Sequence, residues 1–395
     1  MNRSPSVTLS VVRCADYSHE SIDRALSELL EPFGGLKTFV KPGQKVLLKP
    51  NMLTAKSPEA AATTHPAVVG AVASECRKLG AEVFIGDSPP MSLGDIENYW
   101  DKTGFLQAAE DSGAKMVAFE KEPTRNVTIK SDNRTTTFYA TELFFKVDLV
   151  INLPKLKTHN LTVISGAVKN HFGLLPGVQK AQLHMKFPKP IIFGNLMTEI
   201  AAALPTGLTI MDGIEGMDGQ GPAAGRAIKT NCLLASTHPV AVDLGLCAVV
   251  GLDPRKIPTL IHGENINFGP RDLSEVEVKG VSLDDLRFKD FRVPEAHFVV
   301  KIPDFLINLL KNFIWIRPCL KHDLCIKCGA CAKICPAEAI KVGEIGALFN
   351  RRTCISCFCC MEVCPRDAVV MKSSFLISFA LFLRRIKRHL QGKPL

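Results

Sequence analysis

Cysteine is the residue type with the clearest chemistry in this chain. Between positions 325 and 364 it is arranged as CIKCGACAKICP, then eighteen further residues after Cys335, then CISCFCCMEVCP. Cys325, Cys328, Cys331 and Cys335 follow C-x2-C-x2-C-x3-C with Pro336 next, and Cys354, Cys357, Cys360 and Cys364 repeat that spacing with Pro365 next. Three thiolates separated by two residues each can wrap a short loop round one cubane iron–sulfur cluster, while a fourth on the following helical turn points away. The run is an internal duplication with a period of 29 residues: Cys325 maps to Cys354, Pro336 to Pro365, Ala339 to Ala368 and Ile340 to Val369. Zinc ribbons use two C-x2-C pairs rather than two identical four-cysteine runs. Disulfide frameworks belong to short secreted chains.

Residues 320–372 resemble the two-cluster ferredoxins of bacterial type. In such modules the fourth cysteine of each run binds the other cluster. The resemblance therefore implies two 4Fe-4S clusters, one on Cys325, Cys328, Cys331 and Cys364, the second on Cys354, Cys357, Cys360 and Cys335. One departure stands out. Phe358-Cys359 replaces the Gly329-Ala330 of the first run, so Cys359 is a spare thiol beside a ligand. The spacing favours Cys360 as the ligand, with Cys359 the alternative. Cys14, Cys76, Cys232 and Cys247 lie in apolar contexts and read as buried free thiols. Cubanes and reduced thiols together argue for a reducing interior.

A second set of reactive side chains sits where apolar runs end. In open α/β sheets, ligands bind beyond the carboxyl ends of the strands. The run 45–49 leads into Lys49 and Asn51, and 82–86 into Asp87 and Ser88. The run 148–153 leads into Lys155, Lys157 and His159; 208–211 into Asp212, Glu215 and Asp218; and 231–235 into Ser236 and His238, with Asp243 beyond. Five polar tips on one edge predict a site. Lys155, Lys157 and His159 alternate, so they share a face if extended. With Lys169 they could grip a small anionic substrate, while Asp87, Asp212 or a histidine moves protons. The candidate catalytic residues are thus Lys155, Lys157, His159, Lys169, Asp87 and Asp212, and the candidate cofactor-binding residues are Lys49 and Asn51. A solvated basic loop is the competing reading for the lysines. The acidic, glycine-rich segment 212–221 could hold an additional divalent metal through oxygen ligands, or its glycines could serve tight turns. It has neither EF-hand order nor a dinucleotide fingerprint, and no P-loop occurs. His65, His171 and His238, each alone, read as hydrogen-bonded loop histidines.

The elements needed to position these residues alternate between strand and helix. Helical spacing covers 20–30, 66–79 (with Thr64 as N-cap and Gly80 as stop), 93–112, 163–169, 195–204 and 239–250. Strands fall at 7–13, 115–119 and 275–279, the last an edge strand, and 126–139 reads as a hairpin. This predicts an α/β fold, a mostly parallel sheet flanked by helices, followed by a small α+β two-cluster ferredoxin-like domain. The expected division is 1–300 for the α/β domain, 301–319 for a connecting helix (its apolar stripe in 304–316), 320–372 for the ferredoxin-type domain and 373–395 for an apolar-basic tail.

Several short motifs occur in order: KPN at 49–51, THP at 64–66, GDSP at 86–89, NLPKLKTH at 152–159, GAVKNHFG at 166–173, MDGIEGMDGQGP at 211–222 and STHPVAVD at 236–243. Over residues 7–290 the chain resembles the domain-of-unknown-function family 362, whose members are often fused to a two-cluster ferredoxin module. The resemblance implies iron–sulfur binding in the C-terminal part and assigns no reaction to the large domain.

Composition is that of an ordinary globular protein, 46% hydrophobic and 22% charged. The net charge of +9 is concentrated at the end, where Lys372, Arg384, Arg385, Lys387, Arg388 and Lys393 follow Asp367 with no acidic residue. A general nucleic-acid surface is therefore not expected. The first twenty residues lack the apolar core of a signal peptide, which predicts a cytoplasmic location. Residues 375–383 are apolar but too short to span a bilayer. Followed by RRIKRH, they could make peripheral membrane contact within 374–395, or pack as a terminal helix. Two functions follow. One is an oxidoreductase relaying electrons between a redox partner protein and an anionic substrate or cofactor at the strand tips. The alternative is a non-enzymatic electron carrier or assembly subunit of a redox complex. Purely structural clusters are a third.

Overall fold

The computed structural model describes residues 7–90, 96–131, 134–294 and 315–379. Strand β1 (Val7–Arg13) is followed by helix α1 (His19–Leu30), β2 (Lys45–Pro50), α2 (Pro66–Lys78), β3 (Glu82–Asp87), α3 (Ile96–Lys102), α4 (Phe105–Ser112) and β4 (Lys115–Ala118). The hairpin β5 (Thr124–Ser131) and β6 (Arg134–Thr141) precedes β7 (Leu149–Leu153), β8 (Lys155–His159) and β9 (Val163–Ile164). Helices α5 (Gly166–Asn170), α6 (Gln179–Lys186) and α7 (Pro190–Ala203) lead to β10 (Leu208–Asp218), β11 (Arg226–Ser236), α8 (Pro239–Val250), α9 (Pro258–Asn265) and β12 (Val276–Gly280).

The main sheet runs β12-β1-β11-β10-β7-β2-β3-β4. Every neighbouring pair in it is parallel except those of β11, which is antiparallel to both β1 and β10. Both faces are covered, which is why β2 and β7 read as unbroken apolar runs. On one face α1 buries Ile22, Ala25, Leu26, Leu29 and Leu30 against α2 and the sheet, and α4 packs on α2. The other face holds α8 and α7. The expected 93–112 helix is two helices, broken at Gly104 (φ 74°), with 91–95 outside the described residues. Helix α2 is capped by His65 Nδ1, which accepts from Ala67 N, rather than by Thr64. Thr64 Oγ1 instead donates to Leu153 O and accepts from Asn51 N, tying two strand tips together.

The direction of β11 corrects one expectation. Its carboxyl end lies at the opposite edge from those of β10, β7, β2 and β3, so Ser236 and His238 are removed from the site. His238 instead caps α8 by accepting from Val240 N. Asp243 accepts from Ala167 N and Val168 N at the start of α5 and so positions that short helix.

The C-terminal module pairs β13 (Ile316–Leu320) with β16 (Val369–Ser373) and carries the hairpin β14 (Ile340–Gly343) and β15 (Gly346–Phe349). The expected connecting helix lies outside the described residues over 301–314, and its last positions, 316–319, are strand. Each cysteine run holds one short helix, Ala330–Ile334 and Cys359–Glu362. The duplication is present in the backbone: positive φ occurs at Lys327 and Ser356, at Gly329 and Phe358, and at Glu338 and Asp367, the same 29-residue offset. Ala339 N donates to Cys335 Sγ and Ala368 N to Cys364 Sγ, both at 3.2 Å. Residues 375–379 begin a helix, with Phe375 79% exposed; 380–395 lie outside the described residues. Among the described residues no helix is long and apolar enough to cross a membrane.

The module sits against the edge of the sheet where the parallel strands end. Lys56 Nζ lies 2.6 Å from Asp367, and Ala181 of α6 packs with Ile334, Cys359 and Val363.

Candidate functional site

Where β2 and β3 end, their tips, α5, α6 and the module line a cavity open to solvent. Its polar wall is Lys49, Asn51, Asp87, Ser88, Lys169, Lys180 and His184, and the module contributes Ile334, Cys359 and Glu362. Lys49 and Asp87 form a buried ion pair at 2.9 Å. Burial pushes the Lys49 ammonium down and the Asp87 carboxylate opposes that. Asp87 also accepts from Met52 N and Ser88 N, at 2.6 and 2.8 Å. Gly173 is glycine because a Cβ there would lie 1.9 Å from Asp87 Oδ1 and 2.5 Å from Lys49 Nζ.

Lys180 donates to Ser88 O and Ser88 Oγ, and burial lowers it to about 8. Lys169 stands with Nζ 5.6 Å from the Phe172 ring centre. Among the described residues its ammonium has neither hydrogen bond nor ion pair, and it lines the cavity. Burial lowers it, with Glu362, Cys359 and Asp87 acting the other way. His184 is stacked on Phe193 at 4.2 Å, is pushed by burial to about 3, and its Nδ1 has no partner among the described residues. Asn51 donates to Asn170 Oδ1 at 3.0 Å, and its own Oδ1 is likewise unpartnered. Each orphaned buried polar group costs about 1–3 kcal/mol, so the two on this cavity wall, Asn51 Oδ1 and His184 Nδ1, mark a place where a ligand is expected.

Behind this wall, His159 Nδ1 accepts from Leu161 N and Thr162 N. Its proton is therefore on Nε2, which faces Glu362 Oε1 at 3.4 Å, longer than a good hydrogen bond. Burial, reinforced by Lys169, pushes His159 to about 4. Burial raises Glu362, but His159, Lys169 and His184 outweigh it and hold the carboxyl near 2. Lys157 is buried with Nζ donating to Ala62 O, and burial drives it well below its usual value.

Lys155 and Asp212 do not line the cavity. They form a separate buried ion pair at 2.8 Å, in which Asp212 also accepts from Tyr17 Oη and His65 N, and Lys155 donates to Tyr17 Oη. Tyr17 stacks on His65 with ring centres 3.5 Å apart. Lys155, Asp212 and Tyr17 satisfy one another, so the cluster ties the start of β8 and the middle of β10 to the loop after β1. The acidic segment read as a metal-binding loop is mostly strand β10. Its Asp218 is held by Arg226 at 2.8 Å and by Arg292 N. Around this segment no group of three or more His, Cys, Asp or Glu stands together to hold a metal ion.

The sequence candidates therefore divide. Lys49, Asn51, Asp87 and Lys169 come together at the cavity; His159 reaches it only through Glu362; Lys157 lies buried behind it; Lys155 and Asp212 stand apart. Lys180, His184, Glu362 and Tyr17 were missed. Lys180 and His184 are four apart on one helix, a signal available from spacing. Glu362 was hidden inside the cysteine run.

Three histidines remote from the module make the fold acid-sensitive. Burial holds His65, His171 and His238 at about 4; His171 Nδ1, for example, is fixed by the carbonyls of Ala167 and Val168. The unfolded chain protonates first, so their contribution is complete above about 6.5 and is lost as pH falls towards 4. Asp243, raised by burial to about 7, acts in the opposite sense but is one group against three. Urea midpoints followed by circular dichroism should fall from pH 7 to pH 5, with visible absorbance recorded in parallel to separate cluster loss from unfolding.

The cysteines are all free of disulfides. Cys331 has the thiols of Cys328 and Cys364 beside it, and Cys354 has those of Cys357 and Cys335. Cys360 is surrounded by Cys357, Cys354, Cys331 and Cys335, whereas Cys359 meets Cys357, Glu362 and Cys360. Cys364 thus stands beside Cys331 of the first run, and Cys335 beside Cys354 and Cys360 of the second. The N–H groups aimed at Cys335 and Cys364 suit thiolates. The residues present fit a thiolate-held iron–sulfur group.

Residues 46–248 match the family described as domain of unknown function (DUF362), and residues 320–341 match a 4Fe-4S binding domain. The thylakoid-associated protein sll1697 of Synechocystis sp. (strain ATCC 27184 / PCC 6803 / Kazusa) is 36% identical over 309 residues, 78% of this chain and 94% of that protein. Among solved structures, the lactate racemase apoprotein from Thermoanaerobacterium thermosaccharolyticum aligns with a TM-score of 0.39 at 13% identity, covering 60% of this chain and 55% of that one.

Proposed function

This chain belongs to the DUF362 family and is an iron–sulfur protein, and we propose that it is an oxidoreductase that passes electrons through two 4Fe-4S clusters to or from a small anionic molecule in the strand-tip cavity. One cluster is held by Cys325, Cys328, Cys331 and Cys364, the other by Cys354, Cys357, Cys360 and Cys335. Each such group, when bound, takes up or gives one electron at a time. The observation that carries the reading is the shared wall: Cys359 and Glu362, which flank the ligand Cys360, line the same cavity as Lys49, Lys169 and Lys180. The second cluster is therefore proximal to the ligand. The first is distal, near exposed Cys328 and apolar Ile326, 58% exposed, where a redox partner protein can approach.

In the cavity, Lys169 supplies the free cation for an oxyanion. Lys49 and Lys180 keep the wall positive while held by Asp87 and Ser88. Glu362 brings a carboxylate to the cavity wall, and His159 behind it turns its proton-bearing nitrogen towards that carboxylate. The test is reoxidation of anaerobically loaded, dithionite-reduced protein by a panel of small organic acids and oxyanions, followed by visible absorbance. One member of the panel should restore the oxidised spectrum, and Lys169→Ala should slow that at least about tenfold, as expected for loss of a charged hydrogen bond of about 1.5–3 kcal/mol. A panel with no active member, with full electron transfer to a protein acceptor, would instead favour the non-enzymatic carrier.

Contact with a membrane surface is a further part of this reading. It rests on the exposed Phe375 and Phe379 at the start of the tail, on the basic cluster beyond them, and on the name of the Synechocystis relative. The full chain should pellet with vesicles containing anionic lipid at low salt, and a chain lacking 374–395 should not. Equal pelleting of the two would remove the tail from the account.

A further inference from the structure

Cys359 lies outside the ligand sets proposed above, yet it touches both the proximal set and the cavity. It is 4% exposed and stands at the first turn of the short helix Cys359–Glu362. Its side chain packs against that of Cys357. Its other side lines the cavity, opposite Lys169. A second observation marks this cavity as a ligand site. His184, also 4% exposed, presents Nδ1 with no partner among the described residues. Three cations, Lys49, Lys169 and Lys180, face two carboxylates, Asp87 and Glu362, which leaves place for one negative charge.

A thiol has one proton to donate. Given to a ligand sulfur, that hydrogen bond favours the reduced, more negative state of a thiolate-held cluster and raises its potential. Given to a bound anion, it is withdrawn from the cluster. We propose that Cys359 couples occupancy of the cavity to the proximal cluster, donating to Cys357 when the cavity is empty and turning to a small singly charged oxyanion held by Lys169 and His184 when it is filled. Occupancy then lowers the potential of that cluster, so its reduced form becomes the stronger donor only when there is something to receive the electron. The inference rests on the assignment of Cys357 and Cys360 to the proximal cluster.

The experiment is a potentiometric titration of the anaerobically loaded full chain, read by electron paramagnetic resonance, with sodium acetate and sodium phosphate as separate probes. Without a probe, Cys359→Ala should shift one of the two clusters to a more negative potential, and Cys359→Ser, which keeps a donor, should restore it. A probe should lower that same cluster in the unaltered protein, less in Cys359→Ala, and not at all in Lys169→Ala. A response to acetate alone identifies a carboxylate site, and to phosphate alone a phosphate site. Unchanged potential in Cys359→Ala, equal probe shifts in that variant and the unaltered chain, or no shift with either probe would each overturn the coupling. Failure of the chain to bind about eight irons, the content of two cubanes, would instead strike the cluster assignment.

Discussion

Replacing Cys360 with alanine is expected to lower the iron content of anaerobically loaded protein from about eight to about four per chain, the content of one cubane, while Cys359→Ala keeps the full complement. The contrast between adjacent cysteines follows from where their sulfurs stand. Cys360 stands beside Cys357, Cys354 and Cys335 of the proximal set, with Cys331 of the other set also near. Cys359 lies on the outer side of the same helical turn and faces Glu362 and the cavity. Phe358 fixes this outcome, because its φ of 63° reproduces the left-handed turn that Gly329 makes in the first run, and the next cluster-facing position after that turn is the second residue on, not the first. Iron and protein assays on the two variants, together with their resonance spectra, check it. Loss of iron from the Cys359 variant and its retention by the Cys360 variant would exchange their roles.

The second large effect concerns Asp212, read from the sequence as a catalytic carboxylate. Asp212→Ala should destabilise the large domain by about 3–5 kcal/mol, the cost of leaving a buried cation without its counter-charge. Lys155 loses its ion-pair partner, and the hydroxyl of Tyr17 and the amide of His65 each lose an acceptor. Replacing both members of the pair by apolar residues, Lys155→Met with Asp212→Leu, should recover much of that loss, because the uncompensated charge disappears. Denaturant midpoints of the single and double variants measure this. A single variant with ordinary stability that cannot reoxidise with substrate would return Asp212 to the catalytic machinery.

What could be read in advance follows the range of the interaction. The cluster ligands were legible because a thiolate set of this kind is written within a dozen residues, and the duplication shows up again as matched left-handed positions and matched N–H to sulfur bonds. Lys49, Asn51 and Asp87 were legible because polar residues immediately after an apolar strand are placed by the strand itself. The segment 212–218 was not, because Gly213 and Gly216 look like turn residues. Each is glycine for a different reason: a Cβ would come within 3.0 Å of Cys232 O at Gly213 and 2.7 Å of Leu156 O at Gly216, so they let β10 pass close to its neighbours. The antiparallel course of β11 was also out of reach, since an apolar strand carries no mark of its direction. The same holds for the largest omission. Glu362 and Cys359 enter the cavity only because the module docks there, through Lys56 and Asp367 and through Ala181, contacts that no local pattern announces.

The most direct test is an anaerobic crystal structure of the loaded protein with an anomalous iron map. The account predicts two separate four-iron centres, with the one bounded by Cys335, Cys354, Cys357 and Cys360 facing the cavity lined by Lys49, Lys169 and Lys180. A single centre, a different thiolate set, or a proximal centre turned away from that cavity would contradict it.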